Sequence, residues 1–324
     1  MALSRAYLCT REIASDEFER LKKQGLLNPN LKPMPYGEMI AIPVIEGEIE
    51  LDFDIVEKTN PHDKLEKLLE NPPQRWEKLG DLVIFQEGTD TSGWPLEEVA
   101  GALGANRIAI QAEIDPGMKR QSQMKLIHGE DGWVIHKENF VEYEFDATAV
   151  MFSSGNVTER GRMGTIDCER EVIVDAFCGI GYYTLQFLVR GGASHVHACE
   201  INPDSISALE KGLIRNNVAE KCTIHLGDNR VTMRDLKGIA DRVILGLIPS
   251  SMNAWGLAIG CLKPSGGTIH VHMNVHEDEI EEWVGKTTEW FATVSGKNAT
   301  ALHLEDVKQY CPHIRHVVLD LRID

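Results

Sequence analysis

The chain has 324 residues, 43% hydrophobic and 26% charged, which is enough for two domains with a sizeable core and predicts a soluble globular protein. No apolar run approaches the ~20 residues of a membrane span, and the N-terminus has no basic stretch leading into a long apolar one, so secretion and membrane anchoring are not expected. The formal net charge of −17 argues, taken alone, against nucleic acid, because phosphate binding rests on Lys and Arg releasing counterions. That average hides local texture: 117-GMKRQSQMK-125 carries Lys119, Arg120 and Lys125 with no acidic residue, and 160-RGR-162 adds two more positive charges. Such a patch can steer a polyanion within an acidic protein. The seven cysteines are scattered and never form C-x-x-C, unlike a disulfide framework or zinc site, so a reducing compartment, cytoplasm or nucleus, is expected, and the cytoplasm is preferred.

In chain order, residues 1–75 read as a small N-terminal unit. It has a helix around Ser15 to Gln24, a Pro-rich turn region from Lys32 to Pro43 and a strand near Glu48 to Val56. Residues 76–166 read as an α+β middle module, with strands at 81-DLVIFQ-86, 107-RIAIQAE-113, 132-GWVIH-136 and 140-FVEYEF-145. From residue 167 strands and helices alternate. Strands are expected at 171-EVIVDA-176, 195-HVHACE-200, 222-CTIHLG-227, 241-DRVILG-246 and 268-TIHVHMNV-275, and helices from Gly181, Pro203, Ser250 and His276. Two closing strands follow near 300–305 and 315–323. Five crossover strands ending in an antiparallel pair predict an α/β fold, a doubly wound seven-stranded sheet of the class I methyltransferase type over residues 167–324.

The segment 172-VIVDAFCGIGYYTLQF-187 combines a buried strand, an acidic residue at its end, a Gly-x-Gly turn (Gly179, Gly181) and an amphipathic helix. Glycine is needed where backbone passes close to a ligand, and the helix start offers unpaired N–H groups. A dinucleotide fingerprint expects Gly or Ala three residues further on, where this chain has Thr184. Asp175 points the same way, since it would repel a pyrophosphate yet can take the cationic amino group of S-adenosylmethionine (AdoMet). Glu200, ending the second of these strands, can accept hydrogen bonds from both ribose hydroxyls. In 227-GDNR-230, Asp228 can accept from the adenine amino group and the N–H of Asn229 can read a ring nitrogen. All three acidic residues end successive strands beside the switch point of an open sheet, where ligands of this architecture bind.

Residues 116–164, 175-DAFCGIGYYTLQFLV-189, 227-GDNR-230, 241-DRVILGLIPSS-251 and 270-HVHMNVHE-277 resemble the tRNA wybutosine-synthesis aminocarboxypropyltransferases, relatives of the tRNA guanine-N1 methyltransferases of the anticodon loop. The resemblance implies transfer of the 3-amino-3-carboxypropyl group of AdoMet to 4-demethylwyosine in phenylalanine tRNA, with release of 5′-methylthioadenosine. It also implies AdoMet contacts from Ser153, Arg160, Glu200, Asp228 and Asn229. In that role Arg160 would clamp the methionyl carboxylate with its planar fork. The related methyltransferases place Asn-Pro or Asn-Leu-Pro at the tip of the fourth strand, where this chain has 245-LGLIPSS-251.

Two rival readings remain open: a guanine-N1 methyltransferase on the same loop, and a non-catalytic AdoMet-fold binding protein. His195, His197, His270, His272 and His276 alternate on strands, which reads as packing, and no metal is expected. Trp133, Tyr143 and Phe152 read as core. No residue pairs with a substrate proton, so no general base is assigned. Lys119, Arg120 and Lys125 are the preferred phosphate contacts.

Overall fold

The computed structural model describes residues 1–11, 13–47, 49–54, 60–112 and 122–324, and within them the chain divides into two units, 1–72 and 73–324. The first unit contains β1 (Ala2–Thr10), α1 (Ala14–Lys23), β2 (Met34–Tyr36), β3 (Met39–Val44), β4 (Ile49–Phe53) and α2 (Pro61–Glu66). Its antiparallel sheet has the order β2-β3-β1-β4 and buries Ala6, Ala41 and Phe53 together. The Pro-rich stretch expected as turns is therefore partly strand. Pro35 sits on the short edge strand β2, where a missing N–H is tolerated, and Pro43 lies on β3 beyond the end of β2.

The second unit starts with β5 (Trp76–Leu79), β6 (Leu82–Phe85), α3 (Leu96–Ala102), β7 (Arg107–Ile110) and β8 (Lys125–His128), a sheet of order β5-β6-β7-β8. A hairpin follows, β9 (Trp133–Glu138) with β10 (Val141–Asp146), and then α4 (Val157–Thr165). Residues 73–324 form one compact unit that runs on through residue 166. The reason is a shared core. Val134, Tyr143 and Phe145 of the hairpin bury their side chains in the same cluster as Leu185, Phe187 and Leu209. Polar contacts seal the join: Gln186 Nε2 donates to Tyr143 Oη at 3.1 Å, and Asn216 accepts the Glu142 N–H at 3.1 Å and donates to its carbonyl at 2.7 Å.

The alternating part of the chain supplies β11 (Val172–Asp175), α5 (Thr184–Val189), β12 (His195–Glu200), α6 (Pro203–Arg215), β13 (Cys222–Leu226), α7 (Asn229–Thr232) and β14 (Arg242–Leu245). It continues through α8 (Trp255–Cys261), β15 (Gly267–His276), α9 (Ile280–Ser295), β16 (Ala299–Cys311) and β17 (Ile314–Ile323). The sheet order is β13-β12-β11-β14-β15-β17-β16, with β17 antiparallel to both of its neighbours. The expected seven-stranded α/β sheet is present. Strand order reverses at β11, between β12 and β14, so a crevice opens beyond the carboxyl ends of these strands. Among the described residues no helix is long and apolar enough to cross a membrane.

Candidate active site

The apolar run Val172, Ile173 and Val174 carries β11 through the middle of the sheet and delivers Asp175 to its tip, where the chain must turn at once into α5. Gly179 and Gly181 make that turn with φ of +55° and +93°, a region that side chains beyond glycine rarely adopt. A Cβ on Gly181 would stand 2.6 Å from Leu209 Cδ1, so the loop also needs glycine to pack on α6. Asp175 stabilises the turn from within. Its carboxylate is fully buried and accepts from Thr184 Oγ1 at 2.8 Å and from the Phe177 N–H at 3.3 Å. Burial pushes its carboxyl up to about 7, against those hydrogen bonds, and the side chain does not line the cavity described below. The expected contact with a ligand amino group is thus replaced here by an internal one.

Glu200 ends β12 and faces the same loop. Oε2 accepts the Gly179 N–H at 2.9 Å, and Oε1 accepts the N–H groups of Ile201 and Asn202, both at 2.8 Å. Burial raises its carboxyl above the ordinary range while these three donors pull it back. At the tip of β13, Asp228 caps α7 through the Arg230 N–H at 2.9 Å and pairs with the Arg230 guanidinium at 2.5 Å. That ion pair is solvent-exposed, so it is weak and can give way to a ligand donor. Asn229 turns its amide inward to donate to the Ala176 carbonyl at 2.9 Å, tying β11 to α7. Its own backbone N–H stands in the first turn of α7, without an intrahelical acceptor.

Gly179, Glu200, Asp228 and Asn229 line one cavity of about 330 Å³, within the range of small-molecule sites. Phe177, Ile201 and Leu247 add apolar walls, and Tyr182 closes one side with its hydroxyl donating to the Met151 carbonyl. Sequence reasoning does not reach these apolar neighbours, although Phe177 and Ile201 directly adjoin the predicted loop and acid. A pocket for a flat heterocycle needs such walls, and that requirement is the available signal. Cys178 is enclosed beneath the loop, where burial holds its thiol well above the ordinary value.

Ser153 precedes a short 3-10 turn over Ser154–Asn156 and is partly exposed. Arg160 is not turned toward the cavity. It is about 1% exposed, and its Nε and Nη2 donate to the two carboxylate oxygens of Glu138 at 2.5 and 2.6 Å. Nη1 donates to the Ser153 carbonyl at 2.7 Å, and the guanidinium lies over the rings of Phe152 at 4.9 Å and Tyr182 at 5.6 Å. The fork expected on a ligand carboxylate is therefore used on a protein one. Glu138, 22 residues upstream, gives no sequence signal for this partnership. Lys125 opens β8 with an exposed side chain, whereas Lys119 and Arg120 lie outside the described residues.

The family model described as the TRM5/TYW2 methyltransferase domain matches residues 134–297, just over half of the chain. The chain belongs to the TRM5/TYW2 family. Within it, the chain is similar to the tRNA wybutosine-synthesizing protein 2/3/4 of Arabidopsis thaliana, 46% identical over 271 residues that cover 79% of this chain and 27% of that one. It spans about a quarter of the length of that plant relative. Among solved structures it is similar to M. jannaschii TYW2 in complex with AdoMet, with a TM-score of 0.64 and 28% identity, covering 77% of this chain and 99% of that one. It is also similar to P. horikoshii TYW2 in complex with MeSAdo, with a TM-score of 0.66 and 29% identity, covering 81% of this chain and 94% of that one. The fold expected from strand order is thus the fold of this family's solved members.

Proposed function

We propose that the cavity binds AdoMet and that the protein transfers its 3-amino-3-carboxypropyl group to the 4-demethylwyosine base beside the anticodon of phenylalanine tRNA, in wybutosine synthesis, in the cytoplasm. The observation that carries this reading is the convergence of Gly179, Glu200, Asp228 and Asn229 on one cavity at the switch point of the sheet. The residues fit the ligand. Glu200 keeps unfilled acceptor capacity for a ribose hydroxyl, and the Asp228 carboxylate can exchange Arg230 for an adenine amino group. Once bound, AdoMet supplies a sulfonium whose sulfur leaves readily as a neutral thioether, whether the methyl or the methionyl methylene is attacked.

Which carbon reacts depends on which one faces the base, so holding the methionyl arm is the protein's main task. This reading gives that task to Ser153, with Arg160 as a positioning residue that fixes its carbonyl. The base carbon attacks the methylene beside sulfur, the C–S bond gives its electrons to sulfur, and the base releases a proton. Two further features support this chemistry over methyl transfer. The tip of β14 reads 245-LGLIPSS-251, without the Asn of the related methyltransferases. A relative has been solved with MeSAdo, the nucleoside left when the aminocarboxypropyl group departs. Incubation of the protein with labelled AdoMet and tRNA lacking this modification tests the reading. Methylthioadenosine is expected, and S-adenosylhomocysteine in its place overturns it.

A further inference from the structure

The sheet carries a second polar cluster that the donor cavity does not use. It lies on the face of β15 that presents His270, His272 and Asn274, opposite Asp320, Val318 and His316 of β17. Residues two apart on a strand share a face, and so do directly paired residues on adjacent strands. Deep in the sheet this face is satisfied: His270 lies between Arg242 Nη1 at 2.7 Å and Asp320 Oδ1 at 2.6 Å. Toward the strand tip it is not. His272 Nδ1 meets His316 Nε2 at 3.1 Å, leaving His272 Nε2 and His316 Nδ1 without a partner among the described residues, although each residue is about 1% exposed. Both polar atoms of the Asn274 amide are also enclosed and unpartnered among the described residues.

Native folds keep few such groups, because each one has lost water without gaining a replacement. Here they form a complementary set. Whichever imidazole donates to the other, the pair is left with one unfilled donor and one unfilled acceptor, and Asn274 adds one of each kind. Burial holds the His316 ring down to about 4 and the His272 ring well below its ordinary value, so both are neutral near pH 7.

The cluster also adjoins the loop that lines the donor cavity. Leu245 of β14 pairs with Val271, and the Asn274 N–H donates to the Pro249 carbonyl at 2.9 Å. Ile248 and Pro249 themselves line the donor cavity. Asn274 is therefore one strand beyond the donor, across a single loop. The residue is partly exposed as a whole, so rotation of its side chain can bring the amide to a base at the sheet edge.

The geometry points to Asn274, backed by the His272–His316 pair, as the specificity-determining reader of the acceptor base, its amide meeting an adjacent donor and acceptor on the edge of a purine-derived ring. Bases acted on by enzymes are unstacked and read along such edges. This inference rests on the proposed tRNA-base transfer.

The test compares Asn274→Leu and Asn274→Asp with the wild-type full chain. Asn274→Leu removes an unpaired amide, so its melting temperature is expected at or above wild type, with AdoMet affinity within about twofold and kcat/KM for tRNA lowered about ten- to hundredfold. Asn274→Asp keeps the size but loses the donor, and is expected to lose turnover as well. Wild-type turnover of tRNA in both variants overturns the inference, and so does a lower melting temperature in Asn274→Leu, which would make the amide a structural group. Either nucleoside product serves as the readout. Release of S-adenosylhomocysteine by the wild type would therefore sink the proposed chemistry and leave the Asn274 comparison intact.

Discussion

Glu200 Oε2 accepts the N–H of Gly179 at 2.9 Å, so the tip of β12 holds the glycine loop in the shape that lines the cavity. The same carboxylate accepts two further N–H groups from Ile201 and Asn202. Glu200→Ala removes all three acceptors together with the expected ribose partner. AdoMet is then expected to bind about ten- to hundredfold more weakly by calorimetry. Unchanged affinity would place the nucleoside elsewhere.

The Arg160–Glu138 pair gives a prediction about stability. Arg160→Met alone leaves Glu138 buried without its cation and is expected to cost about 3–5 kcal/mol in urea unfolding. Adding Glu138→Leu removes the stranded charge and should bring stability back to within about 2 kcal/mol of wild type. Turnover is not expected to return with it, because the Ser153 carbonyl has lost its donor. Full recovery of kcat in the double variant would remove Arg160 from the positioning role.

Asp175 sets a pH dependence. Burial pushes its carboxyl up to about 7 in the native state, whereas an unfolded Asp ionises near pH 4, roughly. Between these values the folded chain holds a proton that the unfolded chain has released, so stability falls as pH rises through that window. Its contribution is complete below the unfolded value and is lost on passing about 7. Asp175→Asn has no such loss: its amide oxygen can still accept the Phe177 N–H, and its amide nitrogen can donate to Thr184 Oγ1, reversing that bond. The variant is expected to gain roughly 2–4 kcal/mol relative to wild type between pH 5 and pH 8 in urea unfolding. A difference that stays constant across that range would contradict this account.

Lys125 is exposed at the start of β8 and carries the described part of the expected phosphate contacts. Lys125→Ala should weaken tRNA binding without changing the AdoMet affinity. The slope of log affinity against log salt should fall by about one unit. An unaltered slope in filter-binding titrations would move the phosphate path off this strand.

The cofactor half of the chain is legible because its strands are buried parallel ones, which read as short apolar runs such as 172-VIV-174 and 243-VIL-245. The acids at their tips can be placed by position, and Glu200 and Asp228 do border the cavity. Orientation is not legible in the same way. Asp175 and Arg160 are the right residue types for a ligand, yet each finds a protein partner, Thr184 and Glu138, through contacts that only the tertiary fold creates. The helix α4 escapes the sequence for a related reason. Its sequence VTERGRMGT buries Glu159 and Arg160 and contains two glycines, the reverse of an apolar stripe.

The polar and apolar seam between the β9–β10 hairpin and the α/β sheet bears on descent as well as on folding. Tyr143 and Phe145 leave the cofactor half without part of its core if they are cut away, and Phe187 is exposed in return. An exchange that separates the β9–β10 hairpin from the α/β sheet therefore opens this core, whereas one that carries both keeps it closed.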